Sequence, residues 1–177
     1  MQQTTKPRGN SPVTIIGAGI AGAWQALLFA QAGHAVELWS NGPSWWLIEA
    51  ASAEQLRRLQ PDFGAIAGWT NATSATGVAL FAFETSSAHQ LAVRAFCPGD
   101  AVNVPEDPVT GSANALIAAR LHREGRLPGQ AGRYVASQGR ELGRDGRVAL
   151  QVDAEGEVWS GGRAVAVVTG TLDWPGA

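Results

Sequence analysis

The sequence predicts an α+β fold in which several strands accompany one long amphipathic helix, preceded by a short βαβ fragment. The 177 residues are 45% hydrophobic and only 16% charged, which is sufficient for a buried core. Segments of strand-like alternation recur along the chain, and the clearest helical spacing of apolar residues falls at 111–124. We expect a flexible tail at 1–11, a βαβ fragment at 12–40 and a further unit at 41–177.

The fragment at 12–40 begins with a β-branched strand at 13–16 and a glycine-rich turn, G-A-G-I-A-G, at 17–22. A helical pattern and a second strand at 35–39 follow. This order resembles the N-terminal dinucleotide-binding unit of FAD-dependent oxidoreductases, in which glycines admit a pyrophosphate to a helix N-terminus. Ser40 stands where the ribose-binding acid is expected, so we predict no bound cofactor. The weak candidates for cofactor binding are Gly17, Gly19 and Gly22.

Further elements follow a turn at 41–44. A strand is predicted at 45–49, and Ser52 is expected to cap a short helix at 53–59 that Pro61 ends. Two apolar runs can pair as a hairpin. The predicted hairpin strands are 77–83 and 91–96, and the later strands are 133–137, 147–152 and 164–168.

The long helix is preceded by the stretch V-P-E-D-P-V-T-G-S-A at 104–113. Asp107 can cap the helix with Pro108 in its first turn, or Thr110 and Ser112 can cap a helix that starts later. In both cases N–H groups of the first turn can bind a small anion, such as a carboxylate. Asp107 then is a candidate acid or base, although it can also serve only as a cap.

The order of three motifs resembles the PhzF-like isomerase family of phenazine biosynthesis, which shares the diaminopimelate-epimerase fold. They are R-A-F-C-P at 94–98, E-D-P-V-T-G-S-A at 106–113 and Q-G-R-E-L-G-R-D-G at 138–146. The resemblance covers about 42–177 and corresponds to the family's C-terminal half. It implies a sheet wrapped around a central helix.

The resemblance also implies acid/base proton transfer on a small carboxylated substrate, without metal or organic cofactor. Asp107 corresponds to the acidic residue that lines the family's cleft. The residues that correspond to its carboxylate-binding helix start are Thr110, Gly111, Ser112 and Ala113. No stretch matches the family's N-terminal half, which carries its principal glutamate and histidine. A non-catalytic binding or assembly module, from a truncated or fused gene, and an FAD-dependent oxidoreductase fragment remain alternatives.

Composition limits the partners. A net charge of −2 does not favour nucleic acid, and the arginines at 120–147 alternate with acids as on a salt-bridged, solvated face. The lone Cys97 is expected to be a buried thiol in a reducing, cytoplasmic setting, and the three histidines lack metal-ligand spacing. No stretch is long and apolar enough for a membrane span. A homodimer is expected, because half of a two-half fold leaves apolar surface uncovered.

Two sets of side chains each have two possible roles. Trp45, Trp46 and Trp69 can pack in the core or line a ligand cavity. Arg94 and Arg140 can clamp a substrate carboxylate or form structural ion pairs.

Overall fold

The computed structural model describes residues 36–84 and 88–171. The predicted tail at 1–11, residues 12–35 of the predicted βαβ fragment, and with them Gly17, Gly19 and Gly22, lie outside the described residues. The fragment's second strand is described and belongs to the main sheet.

Eight strands and three α-helices make up the described fold. In chain order they are β1 (Val36–Ser40), β2 (Ser44–Glu49), α1 (Ala53–Arg58), α2 (Phe63–Ala72), β3 (Gly77–Phe83), β4 (Leu91–Cys97), β5 (Val104–Asp107), α3 (Gly111–Arg123), β6 (Arg133–Gln138), a 3₁₀ turn (Arg140–Leu142), β7 (Gly146–Val152) and β8 (Val158–Gly161).

The strands form one mixed sheet in the order β1-β2-β3-β4-β6-β7-β8, with β5 paired to β4 outside this path. The pairs β2–β3 and β4–β6 are parallel, and the others are antiparallel. Helix α3 contacts β2 near one end of this order and β7 and β8 at the other. The sheet therefore curls around α3, which gives the α+β architecture.

Helix α3 forms where the sequence predicts it, because its apolar residues recur on one face. Ala113, Leu116, Ile117 and Leu121 are all buried against the concave side of the sheet. Each large aliphatic side chain buried there contributes about 1.5–3 kcal/mol. The opposite side of the sheet is covered by α1 and α2, so β4 is buried along its whole length.

The short helix and the hairpin are also confirmed. The Ser52 hydroxyl accepts from the backbone N–H of Gln55 at 3.1 Å and caps α1. Strands β3 and β4 pair antiparallel, from Val78 opposite Phe96 to Phe83 opposite Leu91. The turn at 41–44 joins β1 to β2 as a second antiparallel hairpin.

Helix α2 was not predicted. Asp62 caps it by accepting from the N–H of Ala65 at 2.9 Å. Gly64 and Gly68 both lie inside the helix, and each lowers helix propensity by about 1 kcal/mol relative to alanine. Burial of Trp69 against the sheet outweighs this loss, and its ring stacks on Trp46 at 5.1 Å between centroids. The tryptophans Trp45, Trp46 and Trp69 are thus core residues.

The strand predicted at 164–168 is wrong. These residues belong to no strand, and Val167 is 89% exposed. The strand that pairs with β7 on the side away from β6 is β8, because a tight turn brings the chain back earlier. In that turn the Asp153 carboxylate accepts from the N–H groups of Glu155 and Glu157, and Gly156 adopts φ 85°.

The arginine-rich face is partly as predicted. Arg123 and Arg126 form ion pairs with Glu37 and Glu49 at 2.7 and 2.6 Å. Arg120 is not solvated but buried, and its guanidinium donates to the carbonyl oxygen of Leu47 at 3.1 Å. Helices long and apolar enough to cross a membrane are not found in the described ranges.

Candidate active site at the start of helix α3

Strand β5 ends in two adjacent carboxylates with different surroundings. Glu106 is buried and forms two hydrogen bonds of 2.8 Å with the Arg94 guanidinium. Arg94 also donates to the carbonyl oxygens of Leu56 and Leu59, at 3.2 and 2.7 Å. It is 5% exposed, so it is a structural ion-pair partner and has no donor directed at a substrate.

Asp107 points to the opposite side, because successive side chains alternate along a strand. Its carboxylate is half-buried and accepts a hydrogen bond of 2.7 Å from the Thr110 hydroxyl at Oδ2. At Oδ1 it has a long contact of 3.4 Å with the N–H of Val109. That distance is too long for a strong hydrogen bond, so Oδ1 keeps accepting capacity.

The helix cap is Thr110, as in the later-starting alternative. Thr110 has extended backbone angles, but its side chain donates to Asp107 and makes no capping bond to the helix. The N–H groups of Gly111, Ser112 and Ala113 have no intrahelical acceptor, as in the first turn of any α-helix. The first turn contains no acidic residue, while Arg120, His122 and Arg123 lie in the last turn. The helix start is therefore an anion-favouring end.

The space in front of this turn is open. A Cβ added at Gly111 would meet no described atom within 4 Å. The Ser112 hydroxyl accepts from the indole N–H of Trp45 at 3.1 Å, so its own hydrogen can be donated to a ligand. Asn41 donates to the Ser112 carbonyl at 3.1 Å, which brings the β1–β2 turn to the rim. Ala113 contributes only its N–H, since its side chain is buried in the core.

Gln138 holds the loop in place from the end of β6. Its Oε1 accepts from the N–H of Thr110 at 3.1 Å and from Nδ2 of Asn114 at 2.8 Å. Its Nε2 donates to the carbonyl oxygen of Asp107 at 2.8 Å and to the Thr110 hydroxyl at 2.9 Å. Gln138 and Asn114 are each 1% exposed. From the sequence, Gln138 was noted only as the first residue of a family motif and Asn114 was not singled out, because neither residue type indicates that both bond to the same loop.

The turn that follows β6 packs on the same loop. A Cβ at Gly139 would lie 2.5 Å from the carbonyl oxygen of Pro108, and Gly139 adopts φ 82°. The position therefore requires glycine for both reasons. Arg140 comes next and is exposed. No contact joins it to the site in the described structure, so the clamp formed by Arg94 and Arg140 is not assembled.

Cys97 lies on β4 close to this loop and is 1% exposed. Burial, and secondarily the negative charge of Asp107, raises the pKa of the Cys97 thiol to about 11. It is a buried neutral thiol, as expected, and not a nucleophile at neutral pH. A group of three or more potential metal ligands is not found in the described part of the chain.

Comparison with known proteins identifies the family. Two solved structures share the fold over most of this chain. A PhzF-family phenazine biosynthesis protein of Bacillus anthracis superposes with a TM-score of 0.56 at 18% identity, covering 71% of this chain and 44% of that one. A predicted epimerase of Pseudomonas aeruginosa gives a TM-score of 0.53 at 25% identity, covering 84% and 52%. The mixed sheet around α3 is thus a PhzF-like fold.

Sequence relatives agree with this fold. The family profile of phenazine biosynthesis-like proteins, PhzC-PhzF, matches residues 12–170, and the chain belongs to this family. An uncharacterized isomerase of Deinococcus radiodurans is 35% identical over 130 residues, covering 70% of this chain and 40% of that protein. An uncharacterized isomerase of Clostridium acetobutylicum is 31% identical over 146 residues, covering 78% and 48%. The chain spans less than half the length of these two curated relatives.

The family match begins at residue 12 and so includes the predicted βαβ fragment at 12–40 as well as the residues that follow it. The resemblance of residues 12–40 to FAD-dependent oxidoreductases stays a prediction.

Proposed function

We propose that this chain is one half of a PhzF-like isomerase or epimerase that acts on a small carboxylated metabolite by cofactor-independent proton transfer. One observation carries the proposal. The open first turn of α3 lies directly after a half-buried carboxylate, Asp107, whose hydrogen bonds leave Oδ1 able to accept. The similarity to relatives named isomerases supports the reaction class.

The substrate carboxylate is expected at the N–H groups of Gly111, Ser112 and Ala113. These donors and the positive end of the helix dipole stabilise an anion without a basic side chain. Thr110 contributes through its position at the cap, since its hydroxyl is engaged by Asp107. The Ser112 hydroxyl supplies one further donor from a position fixed by Trp45.

Asp107 is proposed as the acid/base residue. A carboxylate beside the bound anion can take a proton from the carbon next to the substrate carboxylate and return it elsewhere. A proton shift also needs a second group of this kind. The resemblance to the family implies that this group belongs to its N-terminal half, and the chain spans less than half the length of the two curated relatives. We therefore propose that the isolated chain is an incomplete catalyst, which works in the cytoplasm as a homodimer.

The test is the substitution Asp107→Asn, measured in the full chain supplied with the N-terminal half of a full-length relative. Binding of small carboxylates should persist or strengthen, because a negative charge beside the anion is removed. Exchange of carbon-bound hydrogen with deuterated solvent should fall by about 10²–10⁴. Asp145→Asn is the matched control, since the Asp145 side chain is 74% exposed and pairs with Arg147. Exchange that survives in Asp107→Asn would remove Asp107 from the mechanism.

A non-catalytic binding or assembly module is the second candidate, and the observation that favours it is the open first turn of α3, which can bind an anion without any reaction. Carboxylate binding without any exchange, even with the N-terminal half supplied, would favour it. An absorption spectrum tests the oxidoreductase alternative, because stoichiometric flavin in the purified chain would be visible as a yellow chromophore.

A further inference from the structure

The hydrogen bonds around Thr110 have a direction that the heavy atoms alone determine. The Gln138 amide cannot be reversed, because Oε1 faces the Thr110 N–H, which only donates, and Nε2 faces the Asp107 carbonyl, which only accepts. Asn114 is oriented in the same way, since its Nδ2 donates to the carbonyl oxygen of Thr110 at 2.9 Å. The partner of the Thr110 hydroxyl on this side is therefore an N–H donor.

A threonine hydroxyl has a single hydrogen to donate. Because Gln138 Nε2 donates to Thr110 Oγ1 at 2.9 Å, the hydroxyl hydrogen must point elsewhere. The acceptor within reach is Asp107 Oδ2 at 2.7 Å. The chain of bonds runs in one direction, from the Gln138 amide through the Thr110 hydroxyl to one oxygen of Asp107.

From this geometry we propose that Gln138 is a positioning residue that selects Asp107 Oδ1 as the proton-accepting oxygen. The inference rests on the proposed role of Asp107 as an acid/base residue. Oδ2 accepts the 2.7 Å bond from the Thr110 hydroxyl, so turning it toward a substrate would break a charge-assisted hydrogen bond. Oδ1 has only the 3.4 Å contact to the Val109 N–H and keeps a lone pair for a proton. Gln138 itself touches no reacting atom.

The relay is buried and clamped at both ends, as a positioning device requires. Gln138 and Asn114 are almost fully inaccessible, and Thr110 is buried at 5% exposure. A buried hydrogen-bond network in which every polar group has a partner holds one arrangement strongly. Asp107 is the member of this network that is only half-buried. The fixed side of the carboxylate therefore faces the protein.

The decisive substitution is Gln138→Glu, which is isosteric and keeps an acceptor for Thr110 N–H and Asn114. The variant is measured at alkaline pH, because burial and the neighbouring Asp107 favour the neutral form of the introduced carboxyl, which could still donate. Once ionised, the carboxylate at position 138 cannot donate, so the Thr110 hydroxyl turns toward it and releases Asp107 Oδ2. Thr110→Val removes the hydroxyl without adding charge, whereas Thr110→Ser preserves the relay. Gln151→Glu, at a half-buried side chain that accepts from Arg133, is the control for charge.

The readout is the carbon resonance of the Asp107 carboxyl group in solution NMR of the full chain. It should move in Gln138→Glu and Thr110→Val and stay at the wild-type position in Thr110→Ser and Gln151→Glu. In the unmodified protein, the Gln138 side-chain amide hydrogens should exchange with solvent more than about tenfold more slowly than those of Gln151. This last measurement applies even where a variant fails to fold.

An unmoved Asp107 resonance in a folded Gln138→Glu protein, or fast exchange of the Gln138 amide, would overturn the inference. These outcomes do not depend on substrate or turnover. The proposed function fails separately, through absent carboxylate binding or through exchange that survives in Asp107→Asn. In the chain supplied with the N-terminal half of a relative, Gln138→Glu and Thr110→Val should lower the rate of carbon-bound hydrogen exchange by about tenfold or more. Thr110→Ser, which keeps the hydroxyl, should lower that rate less than Thr110→Val does.

Discussion

Gly111→Val tests where the carboxylate binds. The glycine starts α3 with backbone angles open to other residues, and a Cβ there would point into space that no described atom occupies within 4 Å. The substitution should therefore leave the fold intact, with a stability change within about 0.5 kcal/mol. In the site, the valine side chain would occupy the volume through which an anion reaches the first-turn N–H groups.

The expected magnitude follows from the bonds that are blocked. A hydrogen bond to a charged group contributes about 1.5–3 kcal/mol, so the loss of one such bond weakens binding by roughly tenfold to a hundredfold. Loss of the dipole interaction adds about 0.3–1 kcal/mol. Because valine shields more than one donor, we expect at least a tenfold rise in Kd.

Calorimetric titration with benzoate and with a short aliphatic carboxylate measures the effect. Gly68→Val is the matched control, because Gly68 also lies in a helix, α2, with no described atom within 4 Å of its added Cβ. It should bind as the wild-type protein does. Undiminished binding by a folded Gly111→Val protein would refute the placement of the anion at the start of α3.

Three further predictions concern the surroundings of the site. Arg94→Met should destabilise the fold by about 3–5 kcal/mol in urea titration, because Glu106 becomes an unpaired buried charge, whereas Arg126→Met, at a side chain 45% exposed, should lose less than about 1 kcal/mol; equal losses would contradict the distinction. Cys97 should resist alkylation by iodoacetamide at pH 8 until the chain unfolds, and rapid alkylation of the native chain would refute its burial. Because the pKa of about 11 in the folded chain exceeds the ordinary value of 9.0, the free energy of unfolding should fall as the pH rises from 9 to 11. Sedimentation should show a dimer, since Trp159 of β8 and, later in the chain, Val165, Val167 and Val168 are exposed, and Val167→Lys should weaken it; monomer alone at micromolar concentration would count against the proposal.

The spacing of apolar residues in the sequence predicted those helices and strands that bury one face. Helix α3 and the β3–β4 hairpin were predicted because apolar residues recur at the spacing of one buried face. Helix α2 was missed, since its two glycines argue against a helix and its stability depends on the Asp62 cap and on burial of Trp69 against the sheet. Residues 164–168 alternate as a strand does, but the turn at Asp153 already places β8 beside β7, so they do not form the next strand of the sheet.

In the candidate site, too, residues close together in the sequence could be predicted, whereas residues brought together by the fold could not. Asp107, Gly111 and Ser112 stand in one short stretch, so the sequence could place an acid next to an open helix start. Gln138 comes from a strand 31 residues away from Asp107, and its four hydrogen bonds exist only because β6 pairs with β4. Arg94 illustrates the converse case. An arginine side chain suits carboxylate binding, but Arg94 on β4 already pairs with the buried Glu106 on β5.

The two carboxylates of the E-D-P segment show how backbone geometry assigns chemistry. Glu106 and Asp107 are adjacent, yet strand alternation turns one inward to Arg94 and the other toward the start of α3. The buried pair fixes the end of β5, and Pro108 lacks an N–H that would compete for the Asp107 carboxylate. A register shift of one residue would exchange the two side chains and direct the acid away from the helix. The position of Asp107 therefore depends on the ion pair of its neighbour. Consider a folded variant in which Arg94 and Glu106 are both replaced by apolar residues. Its rate of exchange of substrate carbon-bound hydrogen with solvent should fall clearly, whereas its free energy of unfolding should change little, because no buried charge is left unpaired.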